Sequence, residues 1–348
     1  MLACWVAAAC GDGGSAATGD ASGASDAGAD AGDAGEAWQL VFEGLDGALM
    51  SVAGTRADDV WTAGADTRDG EGALVLHFDG KRWRRVPTGV EADLWWVHAL
   101  GERDVFIGGA RGTIVHWDGD AFERMDTPGD STVYGIWGAS SDDVWAVGGD
   151  PDASPGFVWH FDGSAWDDWT DRLPKAAQGP PIFKAWGRAA DDVWMVGIGG
   201  LAVHWNGTEF EAGDSGSERM LFTVHGVADG QPAFVAVGGY GDAVIVEHDG
   251  DGTAWHNATP DPPLPQLFGV CMIGPNDGYA VGLDGAVARR RGSAWNLLDI
   301  GMELFDPFHS VWVDPDGGVW AAGGDVMSPV PRDGMLLHSG EEISDAIE

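Results

Sequence analysis

One unit of roughly forty residues recurs along most of this chain, and that periodicity constrains the fold more than any local feature does. The clearest copy is GIWGASSDDVWAVGGDPDASPGFVWHFDGSAWDDW, residues 135–169. Close copies run over 51–83, 97–122 and 185–210, and more degenerate ones begin near Phe222, Phe268 and Phe308. Aligned on the glycine that ends the DVWAVG element, they place Gly64, Gly108, Gly148, Gly197, Gly238, Gly282 and Gly323 in register, at spacings of 44, 40, 49, 41, 44 and 41 residues.

Each copy parses into four strands. An apolar run such as Val133–Trp137 comes first, then a Ser/Asp-rich turn, then DVWAVG with alternating burial character. A loop of variable length leads to a third strand ending in Asp79-Gly80, Asp118-Gly119, Asp162-Gly163 or Asp249-Gly250, with Asn206-Gly207 as the variant. Those pairs tolerate positive φ and mark a tight hairpin into the fourth strand. Seven such units predict an all-β chain, a seven-bladed β-propeller with four-stranded blades. The seventh copy reaches its third strand at Leu336–His338 and then runs into EEISDAIE, while AWQLVF (37–42) stands before the first copy with no partner. The economical solution has the N-terminal strand close the last blade, so that no sheet edge is left open.

The predicted organisation is a signal segment over 1–10, an acidic Gly/Ala/Ser/Asp linker over 11–36 and the propeller over 37–348. The linker has no apolar face with which to fold. MLACWVAAAC resembles the end of a bacterial lipoprotein signal peptide, which implies lipidation of Cys10 after Ala8 and Ala9; Cys4 is the alternative. The basic n-region is missing, as a start codon placed too far downstream would leave it. Membrane contact is expected only through that lipid, since no stretch is apolar enough to span a bilayer.

The net charge of −38 excludes one class of partner. Residues 1–36 hold six acids and no base, leaving −32 on the rest by the same count. Nucleic-acid binding depends on Lys and Arg neutralising phosphates, so nucleic acid is not an expected ligand. Cationic ligands, divalent metals and basic protein surfaces remain. Cys271 is the one thiol after the leader.

Residues that recur once per blade read as scaffold. Trp61, Phe106, Trp145, Trp194, Tyr279 and Trp320 stand in the second strand, and Trp137, Trp186 and Trp312 with His98, His225 and Cys271 in the first. Both sets are expected to wedge neighbouring blades apart. His77, His116, His160 and His204 precede the hairpin turn, where their polar edge is expected to meet water; successive blades diverge too far for these to share a metal. The loops ADTRDGEG (65–72), GDPDASPG (149–156) and VDPDGG (313–318) offer carboxylates that suit calcium or simply solvent, and lack the EF-hand spacing. Arg289-Arg290-Arg291 is either an ion-pair knot or an anion site.

Recognition is expected where blades differ. The loops between second and third strands in blades one, three and seven, and the crossover 167–182, emerge on one face. They carry Arg68, Trp169, Arg172, Lys175 and Arg332 as candidate contacts, Trp169 being either an exposed anchor or a cap on blade three.

Nucleophile, phosphate-loop and zinc-helix motifs do not occur. The unit resembles Asp-box sialidase-like blades and the photosystem-assembly-factor propellers, and most of all the repeat lipoproteins of myxobacterial type with DVWAVG…hHxDGxxW units. The last resemblance covers about nine-tenths of the chain and implies export and display at the cell envelope, as an outer-membrane or periplasmic lipoprotein or extracellularly. The expected function is a non-catalytic, monomeric recognition or scaffold module for an envelope protein or glycan. The alternatives are a glycan-processing glycosidase or lyase using the propeller funnel, and an envelope assembly factor.

Overall fold

The alternating pattern of the repeat becomes 28 strands in the computed structural model, which describes residues 37–150 and 154–347. They form seven four-stranded antiparallel sheets in ring order, so the chain is an all-β, seven-bladed propeller. Six blades each use four consecutive strands. The seventh orders Trp38–Leu45, Arg332–Ser339, Val319–Asp325 and Phe308–Val313, with the N-terminal strand outermost. Trp38 pairs with Ser339 and Leu40 with Leu337, which closes the ring as the unpartnered AWQLVF segment predicted.

The inner strand of every blade carries a β-bulge at the same place. It falls between Leu49 and Ser51, Leu94 and Trp96, Val133 and Gly135, and at the matching sites of the other four blades. The register also corrects one alignment. Leu94 pairs with Gly109, as Leu49 does with Gly64, so Gly109 rather than Gly108 is blade two's register glycine.

The glycine is required by crowding, not by φ. The carbonyl just before each inner strand folds over it and accepts the N–H of the following residue, at 2.9 Å for Ala65 to Ala48 and 2.8 Å for Ala110 to Asp93. A Cβ on Gly148 would collide with the Thr132 carbonyl, and one on Gly109 with that of Asp93.

Between blades, large faces small. The Trp137 ring fills the space over Gly187, Trp186 over Gly226, and Trp312 over Gly54. Where the wedge is His98 or His225, its ring nitrogen instead accepts the main-chain N–H of Gly138 or Met272, at 3.0 and 3.1 Å. A second tier stitches the inner strands together. Val97 N–H donates to Ser51 Oγ, Trp96 Nε1 to the Ile136 carbonyl, Thr223 Oγ1 to that of Phe268, and Val52 N–H to Ser310 Oγ. Apolar clusters accordingly lie between adjacent blades rather than in one central core, and the last joins blade seven to blade one through Phe42, Trp83 and Trp320. No helix among the described residues is long and apolar enough to cross a membrane.

Candidate functional site

The recurring histidines are partly exposed, and each is also held by a carboxylate. The aspartate that opens the second strand takes each one: Asp59 to His77 Nε2 at 2.8 Å, Asp104 to His116 at 2.6 Å, Asp143 to His160 and Asp192 to His204 at 2.7 Å. Each ring also lies on its blade's second-strand aromatic, with centroids 4.0 Å apart for Trp61 and His77. The module is built within one sheet, because Trp61 and His77 are register partners. Burial would raise the Asp59 carboxyl, but hydrogen bonds from His77, Thr55 and Trp61 outweigh it and hold the group below its usual value.

Blade six substitutes arginine. The Arg289 guanidinium binds Asp277 at 3.1 Å and lies 4.8 Å from the Tyr279 ring, repeating the Asp–His–aromatic geometry. Arg290 reaches back to blade five and pairs with Glu247, both side chains being almost wholly buried. Glu247 stands opposite Val235 at the register of the histidines, so the arginine occupies room that a missing aromatic leaves. Arg291 approaches Asp277 at 3.6 Å. The triplet is a knot of ion pairs.

A feature the repeat did not disclose lies on the axis. The bulge turns one residue per inner strand towards the channel: Met50, Trp95, Tyr134, Phe183, Phe222, Phe268 and His309. The six rings follow one another with centroids 5.5, 5.5, 5.4, 5.1 and 5.6 Å apart, an arc of touching aromatics through blades two to seven. Trp95, Phe222, Phe268 and His309 are half-buried. His309 Nε2 donates to the Gly324 carbonyl at 2.8 Å, and burial pushes its pKa down to about 4. In the next tier Lys184 Nζ lies 4.2 Å from the Trp96 ring centroid and donates to the Tyr134 carbonyl. Burial lowers its pKa to about 7.

The collar sits where crossovers enter the inner strands, on the face that also carries the loops between second and third strands. The rim candidates occupy that face in three separate groups. Trp169 is half-buried rather than exposed: its ring packs at 5.2 Å on Trp145 and 5.4 Å on Trp205, between blades three and four. Its N–H continues the third-strand ladder to Val158 at 2.9 Å. The exposed Arg172 guanidinium lies 3.6 Å from the Trp169 ring centroid, and Lys175 follows, exposed. Arg68 binds Asp66 at 3.0 Å and Asp93 at 3.5 Å across blades one and two. Arg332 lies 3.3 Å from Asp333 and 3.8 Å from Asp325 in blade seven.

The acidic loops are similarly engaged. Asp69 accepts from Arg85 and the Glu71 N–H, and Asp314 from Trp320 Nε1 and the Gly318 N–H. Among the described residues no three His, Cys, Asp or Glu are grouped to hold a metal. Cys271 is a buried free thiol whose pKa burial raises to about 11. Cys10, Cys4, the linker and Asp152 lie outside the described residues.

The fold resembles that of YCF48. YCF48 from Cyanidioschyzon merolae superposes with a TM-score of 0.63 at 12% identity, covering 87% of this chain and 98% of its own. YCF48 bound to D1 peptide gives 0.63 at 12% identity, covering 88% and 97%. The WD40 propeller domain of Doa1 gives 0.63 at 14% identity, covering 88% and 98%. No protein-family model and no curated protein matches the chain. At these identities the likeness is one of architecture.

Proposed function

We propose that this chain is a non-catalytic recognition or scaffold propeller, displayed at the cell envelope by a lipid on Cys10. The observation that carries the reading is the division between repeating and non-repeating chemistry. The recurrent histidines, aspartates and blade-six arginines are used up in Asp–His and Arg–carboxylate pairs within and between the sheets. Aromatic rings and unlike loops gather on one face. YCF48, a propeller of the same architecture, binds a peptide, which favours a protein partner over a glycan.

On this reading the ligand lies across the collar end, with Trp169 and Arg172 on its rim. Arg172 is the cleaner probe, because an exposed cation–π contact contributes about 0.5–1 kcal/mol. Arg172→Ala should therefore fold normally and weaken binding to a detergent-solubilised envelope fraction. Trp169→Ala should both destabilise the blade three–four junction and weaken binding. Lost stability with intact binding in both variants would overturn the rim assignment. Mass spectrometry of the native N-terminus tests the anchor: a diacylglycerol-modified Cys10 is expected, and an unmodified N-terminus would remove it. Calcium is the ion the acidic loops suit, and a melting temperature that ignores added calcium would set it aside.

A further inference from the structure

The C-terminal segment, which the sequence left without a structural role, docks along the outside of the ring. After blade seven's third strand it crosses the gap between the outer strands of blades seven and one. The Gln39 carboxamide holds both main-chain groups of Ile343, accepting its N–H at 2.8 Å and donating to its carbonyl at 2.6 Å. The Ile343 side chain packs against the Phe42–Trp83–Trp320 cluster. Four residues on, Ile347 pairs in parallel with Trp83, the aromatic of blade one's outer strand. A second outer strand is extended in the same way. Asp214, from the crossover after blade four, pairs in parallel beside Trp255 of blade five: its N–H donates to Thr253 and its carbonyl accepts from Trp255, both at 2.9 Å.

The equivalent gap between blades two and three holds no such strand among the described residues, and forms a groove of about 660 Å³ lined by His116, Glu123, Met125, Pro128, Trp166 and Asp168, among others. Register makes the correspondence residue by residue. Trp166 pairs with Phe161 as Trp83 pairs with Phe78. Glu123 stands opposite His116 as Gln39 stands opposite His338. The groove thus presents an outer-strand aromatic of the kind at which this molecule twice forms a parallel bridge, and an acceptor at the place where Gln39 grips the tail. Its volume lies within the range of ordinary binding clefts.

Charge selects the occupant. The tail carries Glu341, Glu342 and Asp345 and settles beside a hairpin bearing Lys81, Arg82, Arg84 and Arg85. At the open groove the signs are reversed: Glu123, Asp126, Asp167 and Asp168 are exposed, Arg124 is the one opposing side chain among the groove's exposed charges, and His116 is bound to Asp104. We propose that this groove docks an extended basic segment of a partner protein, which adds as a parallel strand beside Trp166 and sets an apolar residue against Met125 and Trp166. Main-chain bonds to an exposed strand edge give affinity, and alternate side chains give selectivity. The groove shares Asp167 and Asp168 with the crossover 167–182 but contains none of the rim candidates, so its double variant can fail while the axial reading stands.

The probe is a fluorescein-labelled nonapeptide with the tail pattern of residues 340–348, its four acids exchanged for lysine. Fluorescence anisotropy with the full chain should show saturable binding, and the unaltered acidic peptide should bind at least tenfold more weakly. The exposed double variant Glu123→Lys/Asp168→Lys should keep the wild-type melting temperature, lose the basic peptide at least tenfold and gain the acidic one. A basic peptide carrying N-methyl groups at alternate main-chain nitrogens should bind at least tenfold more weakly. Equal binding to wild type and double variant would show attraction to the acidic surface at large and overturn the assignment, as would no binding at low salt. Indifference to N-methylation would overturn the strand addition.

Discussion

At the scale of single residues, stability rests on polar groups whose pairing leaves little margin. Glu247 and Arg290 are the deepest example. Removing one partner of a buried pair leaves the other charge uncompensated and typically costs 3–5 kcal/mol, whereas replacing both with apolar residues is often neutral. Glu247→Ala should therefore lower the unfolding free energy by roughly 3 kcal/mol, and Glu247→Leu/Arg290→Met by much less. Urea denaturation of the two variants decides it, and equal losses would contradict the buried pairing.

The buried bases fix how stability follows pH. His98, His225 and His309 have pKa values pushed down to about 4 by burial. The unfolded chain protonates these groups near 6.5 while the folded chain does not until about 4. Stability should accordingly fall as pH drops from 6.5 towards 4. The double variant His98→Gln/His225→Gln should show a shallower fall in urea midpoint across that window. Lys184 acts in the same direction at higher pH. Its folded pKa is about 7 against 10.5, so between those values the unfolded chain holds the extra proton and rising pH stabilises the fold. The wild type should gain stability relative to Lys184→Met between pH 7 and 10. A constant difference would mean that the ammonium is not buried.

At the scale of elements, the outer strand of blade seven is the closure. Deleting residues 37–43 exposes the edge of Arg332–Ser339 and removes Val41 and Phe42 from the blade seven–one cluster. Fully burying one such apolar side chain is worth about 1.5–3 kcal/mol, so the deletion should cost several kcal/mol. An unchanged melting temperature would show that the strand does not close the ring. The register glycine makes a sharper local test: Gly148→Ala drives a methyl into the Thr132 carbonyl and should cost about 1–3 kcal/mol, the usual range for overpacking. Gly241→Ala has no atom in its way. It carries only the penalty of a positive φ.

At the scale of the molecule, the blade count, strand pattern and closure were legible because their signals are local and repeated: alternation, Asp-Gly turns, and a strand without a partner at one end. What escaped depends on geometry that alternation cannot encode. The bulge moves Trp95, Phe222 and their equivalents out of the two-residue rhythm and into the channel, so they read as ordinary strand apolars. Asp59 and His77 stand 18 residues apart in sequence and meet only when strands two and three pair. Gly108 and Gly109 form a pair in which either residue fits the motif, and only strand pairing separates them. The tail carries too few apolar residues to announce a strand, and Ile343 and Ile347 gain meaning only from Gln39 and Trp83.

Hydrogen–deuterium exchange of the full chain, with and without solubilised envelope fraction, tests most directly whether recognition belongs to the collar end. Added ligand should slow exchange in the loops 65–72 and 325–334, in the crossover 167–182 and at the starts of the inner strands. The turns between first and second strands, around 57–58 and 190–191, should exchange unchanged. Protection at those turns, with the collar end unaffected, would contradict the account.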